Sequence, residues 1–542
     1  MFVRLIRVNT FCEIKMKDKH NKNTTNAITS FFSQYQALYS LKGIRRGIER
    51  ETIRSTAQKR ISPLAHPMAL GAALTHPSIT TDFGEAQIEL VTPAMSDRHD
   101  TFHFLATLHH FVASHLPDDE ILWGASMPPI LPNDDQIKIA DYGTSNAGQL
   151  KALYRQGLAN RYGKRMQLIS GIHYNFSLPE SFWTALHLYT QSDLPLDEFI
   201  SERYFDLIRN VLRHGWIIAY LFGASPAVDK SYLVNKAHDL QRLDEETYYL
   251  PWATSLRLSN LGYSSNEQSL YSVSFNSKQG YLDDLYKILN QPSERYIHLR
   301  DNQQINSSVL QLENELYGTV RPKIVSDNLR PLYALCHHGV QYIELRSVDN
   351  NPYLPFGISE AQTQFLDIFM TYCALTPSIK MTTQERSIID KRQQLVAIEG
   401  RKPGVMLPTL TGEQSLQDLA EDMFSALLTV AKQFDIAFDT HAYQDVLQQE
   451  LHKVHQPSLT PSAQMLAQMI AENMSYNTLV HSLSQQHLPT YKKADIAADE
   501  IMTLQFLAQE SHNKQQQMEL QQGMNFDVYL QQKNTLQPDC EQ

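Results

Sequence analysis

Residues 47–52 read GIERET, and in a strand a period of two aims Glu49 and Glu51 at the same side. Two carboxylates roughly 7 Å apart repel by roughly 2 kcal/mol at an effective dielectric of about 20, so the pair calls for positive charge beside it. Ionisable or amide groups recur at i and i+2 in four further segments that read as strands: Glu85, Gln87 and Glu89 in TDFGEAQIEL (81–90), His173 and Asn175 in SGIHYNFSL (170–178), Glu313 and Glu315 in LENELY (312–317), and Glu344 and Arg346 in QYIELRSVD (341–349). Any one of these fits the wet face of an antiparallel sheet. As a set they are too acidic for that, because an ordinary solvated face mixes signs to satisfy cross-strand pairs. Carboxylate oxygens with one imidazole suit Mg²⁺ or Mn²⁺, whose coordination is usually completed by water and substrate phosphates.

Metal with phosphate suggests nucleotide chemistry, yet the standard phosphate loops are absent. GLANRYGKR (157–165) has five residues between its glycines, and Arg165 stands where Ser or Thr should hold a metal ion. No GxGxxG follows a strand and no HExxH occurs. Phosphate would be held by metals and by guanidinium forks, for which Arg155, Arg257 and Arg346 are candidates beside the plain alternative of surface ion pairs. His109, His110, Cys336, His337 and His338 resemble ligands only by composition and are read as structural. Arg401 and Lys402 in GRKPG (400–404) are read as a loop, near nucleotide or simply solvated.

The chain that must position these groups has 542 residues, 42% hydrophobic, enough for one large core or two. Its net charge of −11 and lack of a dense basic cluster argue against nucleic acid as partner. Four cysteines without a CxxC pair indicate neither zinc nor a disulfide scaffold, and suit a reducing compartment. With no apolar run of about 18 residues and no signal-peptide pattern, the expected location is cytoplasmic, away from membranes. Helical spacing appears at Leu105, Leu108, Val112 and Leu116, in FLDIFMTYCAL (365–375), and from Leu416 to Val430. Residues 1–33 are expected to be peripheral, 34–410 to form the sheet-and-helix body, and 411–542 to be helical, ending in a Gln-rich stretch where no chemistry is expected.

Long ordered motifs then carry a resemblance. LKGIRRGIERETIR, AHPMALGAALTHPSITTDFGEAQIELVTP, YGTSNAGQLKALYRQGLANRYG, MQLISGIHYNFSLP, IRNVLRHGW, YLFGASPA, YYLPWATSLRLSNLGY, LQLENELYGTVRPK, YIELRSVDNNPYLPFGI and EGRKPG together resemble the proteobacterial glutamate–cysteine ligases over about residues 40–410. The resemblance implies an α+β enzyme of the glutamine-synthetase-like carboxylate-amine ligases, with a curved antiparallel sheet of about six strands forming a funnel. It implies ATP-dependent joining of the γ-carboxylate of L-glutamate to the amine of L-cysteine through γ-glutamyl phosphate, the first step of glutathione biosynthesis. Motif by motif, it assigns metal ligation (Mg²⁺, or Mn²⁺) to Glu49, Glu51, Asp82, Glu89, His173 and Glu344, and phosphate stabilisation to Arg155 and Arg346. Nucleotide contact falls on Gln167, Ile169 and Asn175, and substrate contact on Phe83, Tyr154, Arg257, Tyr263 and Tyr317. Glutathione is implied as a feedback inhibitor. A ligase with another amine acceptor and a non-catalytic amino-acid- or metal-binding relative are the alternatives.

Overall fold

The structure, a computed structural model, describes residues 24–262, 271, 273–299, 302–326, 329–493 and 495–535. Twelve strands occur in it: β1 (Arg45–Thr56), β2 (Ile79–Thr81), β3 (Gln87–Val91), β4 (Glu120–Leu122), β5 (Ile172–Ser177), β6 (Ala227–Asp229), β7 (Gln241–Arg242), β8 (Thr247–Tyr249), β9 (Val320–Lys323), β10 (Tyr342–Val348), β11 (Met406–Thr409) and β12 (Gly412–Ser415). Seven make one open antiparallel sheet in the order β2-β3-β1-β5-β10-β9, with β4 paired to the end of β1. The six-strand path matches the expected count, and β4 adds a seventh strand.

Alternation gives this sheet two unlike faces. Ile48, Tyr174, Phe176, Ile343 and Leu345 point to one side and join the main core with the helices Leu196–His214, Trp216–Phe222 and Glu360–Leu375. The other side carries Glu49, Glu51, Glu89, His173, Glu344 and Arg321, which the pairing register sets across from one another.

β1 is buried on both faces, and its apolar-side positions include three arginines. Arg46, Arg50 and Arg54 are 2%, 0% and 0% exposed, so each must have partners in the interior. Arg46 pairs with Asp367 at 2.9 Å, the one charge in the otherwise apolar run 365–375, which also takes Arg98 at 2.6 Å and the Tyr174 hydroxyl at 2.6 Å. Arg50 donates to the Pro355 carbonyl at 2.6 Å, to Asn350 Oδ1 at 3.2 Å and to His109 Nε2 at 2.6 Å. Because a guanidinium can only donate, His109 must be the tautomer that accepts at Nε2 and donates Nδ1–H to the Leu105 carbonyl, 2.7 Å away. Burial, then the Arg50 charge, holds this imidazole well below its usual range. Arg54 pairs with Glu120 at 3.0 Å. These bonds pin the register that decides which side the carboxylates of β1 face.

Several local expectations change. LENELY is not a strand: Glu313–Glu315 form a 3-10 turn, with Glu313 held by Arg330 at 2.8 Å and Glu315 by Arg161 at 3.0 Å. TDFGEAQIEL is the turn and return between β2 and β3 rather than one strand, and Glu85 accepts from the backbone N–H groups of His66 and Asp141. Of the residues expected to be peripheral, 1–23 lie outside the described residues, but 24–32 are helical and bury Ile28, Phe31 and Phe32 in the main core. Cys336 is disulfide-bonded, a bridge that the cysteine spacing did not indicate; Cys373 is a buried free thiol, and Cys12 and Cys540 lie outside the described residues. Among the described residues no helix is long and apolar enough to cross a membrane.

Candidate active site

The charged face of the sheet forms the floor of a cavity of about 400 Å³. Register places Glu51 opposite Glu89 and Glu49 opposite His173, with Asn175 opposite Glu344 and Glu344 opposite Arg321. His173 Nδ1 lies 3.0 Å from Glu49 Oε2 and 3.8 Å from Glu344 Oε1, and its Nε2 lies 3.4 Å from Glu51 Oε1. Ligand atoms of Glu49, His173 and Glu344 fall within 4.8 Å of one another, as do those of Glu51, Glu89 and His173. Asp82 lines the same cavity without joining either trio.

The trios differ electrostatically. Burial, reinforced by the charges of Glu49 and Asp82, pushes the Glu89 carboxyl up to about 8. Burial and the neighbouring Asp82 and Glu89 likewise raise Glu51 well above the carboxylate range. Burial disfavours charge on Glu344 too, but Arg346 at 3.3 Å and Lys323 at 3.5 Å outweigh it and hold this carboxyl well below its usual range. Glu49 is half-buried, and although desolvation disfavours its charge, the hydrogen bond with His173 and the Lys323 charge keep it on the low side. The cavity is therefore polarised, with unbalanced carboxylates at one end and cations at the other.

His173 makes the imbalance acute. Burial and Arg346 lower its pKa against the opposing pull of Glu49 and Glu344, which favours the neutral imidazole that donates from one nitrogen only. Carboxylates face both nitrogens, so one lone pair looks at an oxygen unless a proton or a cation lies between. Glu344 Oε2 is buried and accepts no hydrogen bond, with only the Arg346 ion pair at 3.3 Å and Arg321 at 3.9 Å beside it. Five carboxylates and one imidazole lone pair are a donor set that a hard divalent cation fits.

Local geometry explains how these side chains are aimed. The Gly171 N–H donates to Glu51 Oε2 at 2.7 Å, and Asn175 Nδ2 donates to Glu49 Oε1 at 2.7 Å. Gly171 must lack a side chain, because a Cβ there would sit 2.0 Å from Arg257 Nη2. Arg257 in turn donates to the Arg346 carbonyl at 2.7 Å and pairs with Asp349 at 3.4 Å, bracing β10 where its register shifts between Leu345 and Val348. Opposite the sheet, the helix Asn146–Tyr162 starts at a Ser145 cap and brings Tyr154 and Arg155 to the cavity. Arg155 donates to the Asp82 carbonyl and lies 4.7 Å over the Tyr142 ring.

Phe83, Tyr154, Gln167 and Tyr317 line the same cavity, with Gln167 Nε2 donating to the Tyr317 hydroxyl at 2.8 Å. Ile169 and Asn175 do not line it: Ile169 is packed in a second hydrophobic cluster with its carbonyl accepting from Gln87, and the Asn175 amide is engaged by Glu49. Tyr263 lies outside the described residues. Arg257 lines an adjoining cavity of about 260 Å³ that shares Tyr317 and Arg346 with the first, and a third, of about 480 Å³, shares Tyr317 and Arg321. Arg401 donates to the carbonyls of Ala253 and Pro251 and is a structural brace.

Sequence reasoning missed Lys151, Arg321, Lys323 and Tyr529, all of which line the main cavity. The VRPK run of β9 carried a signal for two of them, since Arg321 and Lys323 stand at i and i+2. Burial and the nearby Arg155 lower Lys151 to about 8.

Comparison with known proteins points to one family. The family model described as glutamate-cysteine ligase matches residues 29–396. The glutamate–cysteine ligase of Saccharophagus degradans is 40% identical over 500 residues, 91% of this chain and 94% of the relative, and that of Pseudomonas fluorescens is 40% identical over 522 residues, 95% and 98%. A crystal structure of the Francisella tularensis glutamate–cysteine ligase in complex with AMP superposes with a TM-score of 0.84 at 33% identity, covering 91% of this chain and 97% of that one. A bifunctional glutathione synthetase from Pasteurella multocida matches at a TM-score of 0.69 and 25% identity, over 88% of this chain and 56% of that one. With its sheet, its polarised cavity and these relatives, the chain belongs to the glutamate–cysteine ligase family.

Proposed function

We propose that the protein joins the γ-carboxylate of L-glutamate to the amine of L-cysteine at the expense of ATP, giving γ-glutamylcysteine, ADP and phosphate. The observation that carries this reading is the polarised cavity: a carboxylate–imidazole end continuous with an Arg346, Arg321 and Lys323 end.

A carboxylate does not acylate an amine directly, because oxide would have to leave. Transfer of the ATP γ-phosphoryl group to a γ-carboxylate oxygen makes γ-glutamyl phosphate and releases ADP. The cysteine amine then attacks the acyl carbon, and the tetrahedral intermediate expels phosphate. Glu49, Glu51, Asp82, Glu89, His173 and Glu344 would hold Mg²⁺ or Mn²⁺, which when bound neutralises phosphate charge and screens it from the incoming carboxylate. Arg346, and Arg155 from the helix opposite, offset charge on the transferring phosphoryl group. Phe83, Tyr154 and Tyr317, with Tyr263 by family resemblance, form the cysteine pocket, where aromatic walls suit a small thiol side chain. ATP occupies the adjoining cavities, whose Tyr271, Phe275 and Tyr281 offer rings to a base and which meet the main cavity at Tyr317, Arg321 and Arg346. Glutathione contains the γ-glutamylcysteinyl unit and competes for the same space.

The test is ADP release followed across a panel of amine acceptors with glutamate fixed. Release that needs glutamate, cysteine and Mg²⁺ together is expected. Turnover with a different acceptor in preference to cysteine replaces the substrate assignment, and binding without turnover removes the ligase reading.

A further inference from the structure

We propose that the C-terminal helix Phe526–Asn534 is a lid over the amino-acid end of the cavity, with Tyr529 as its contact to the bound substrates; this rests on the ligase reading above. The helix lies beyond residues 29–396, which the family model matches, yet Tyr529 lines the cavity beside Leu150 and Lys151. Its attachments are at its two ends. At the start, Asn146 Nδ2 donates to the Met524 carbonyl at 2.9 Å and Gln522 Nε2 to the Thr144 carbonyl at 3.1 Å. At the far end, Arg330 donates to the Lys533 carbonyl at 2.8 Å, Asn534 Oδ1 accepts from Asn306 Nδ2 at 3.2 Å, and Asn534 Nδ2 donates to the Ile305 carbonyl at 3.1 Å.

Between these ends no residue of the helix is buried, so little apolar burial holds it down. An element tied by a few exposed and part-buried polar bonds opens at small free-energy cost. The preceding helix, Ala498–Leu520, is by contrast seated in the body through Leu504, Ala508 and Ser511, and Gly523 between them has open space around it. The helix is thus built to swing from a fixed base. The reaction supplies the reason for a cover: γ-glutamyl phosphate is a mixed anhydride, and water admitted to the cavity would attack its acyl carbon, give back glutamate and phosphate, and waste the ATP.

The experiment uses the full-length chain and its Tyr529→Ala and Asn534→Ala variants. It measures KM for each amino acid and for ATP, the ratio of ADP to γ-glutamylcysteine, and hydrogen exchange of 526–534 with and without glutamate, cysteine and a non-hydrolysable ATP analogue. Tyr529→Ala is expected to raise KM for glutamate or cysteine about tenfold with KM for ATP unchanged. Both variants should lift the ADP-to-product ratio above one, and substrates should slow exchange across the helix. Unchanged amino-acid KM and unchanged ratio overturn the proposal, as does exchange indifferent to substrates. If the wild-type protein releases no ADP with glutamate and cysteine, the ligase reading fails first and this inference with it.

Discussion

Replacing Glu89 by Gln removes one of the carboxylates that the fold crowds together, and the size of the effect follows from its environment. Its folded-state pKa is about 8 against an ordinary 4.5. Between those values the folded protein keeps a proton that the unfolded chain has shed, so stability is greatest below 4.5 and falls as pH rises towards 8. The slope is about 1.4 kcal/mol per pH unit and falls to half of that at pH 8, which integrates to about 2.3 kcal/mol from pH 6 to pH 8. Unfolding entropy of about 2.1 cal/mol/K per residue, over 542 residues, makes this a fall of about 2 °C in Tm. The Gln variant lacks the titrating group, so in EDTA its Tm should fall by that much less over the interval. The histidines with depressed pKa values act in the opposite sense but are common to both proteins and cancel in the comparison. Saturating Mg²⁺ should raise the wild-type Tm more than the variant's, because cation bound only to the native state stabilises it. Differential scanning calorimetry at pH 6 and pH 8, in EDTA and in Mg²⁺, reads all four conditions. Equal pH slopes, or equal gains from Mg²⁺, would refute the argument that this cluster is a cation site held open against repulsion.

Glu49→Gln should keep the fold, judged by circular dichroism, while turnover drops by about 10²–10³ or more, and wild-type activity in that variant would remove Glu49 from the metal set. Arg50→Met leaves His109 Nε2 and Asn350 Oδ1 without their buried donor and should cost about 3 kcal/mol, measured as a lower urea midpoint at unchanged m-value. Gly171→Ala drives a methyl group against Arg257 and should cost about 1–3 kcal/mol while also lowering kcat, through displacement of Arg346 and Glu51; an unchanged kcat would show that this brace does not reach the site.

Alternation in GIERET, IHYNFS and YIELRSV is a local property, so it correctly set Glu49 with Glu51, His173 with Asn175, and Glu344 with Arg346 on common faces. The same rule failed in LENELY, where Glu313 and Glu315 face Arg330 and Arg161 instead of a row of acids. Spacing cannot reveal a partner 154 residues away. It also passed over the arginines between the acids of β1, since alternation says which face a side chain takes and not whether Asp367, Asn350 or Glu120 waits there.

Local chain geometry thus decided the sidedness of the strands, and long motifs pointed to the family. The tertiary structure decided which faces meet. It stacked β3, β1, β5 and β10 so that acids from three strands converge on the imidazole of the fourth, and it brought Arg321, Lys323 and Tyr529 to the same cavity. The physical reason is that strand sidedness follows from the backbone within a few residues, whereas convergence depends on register and packing between segments hundreds of residues apart.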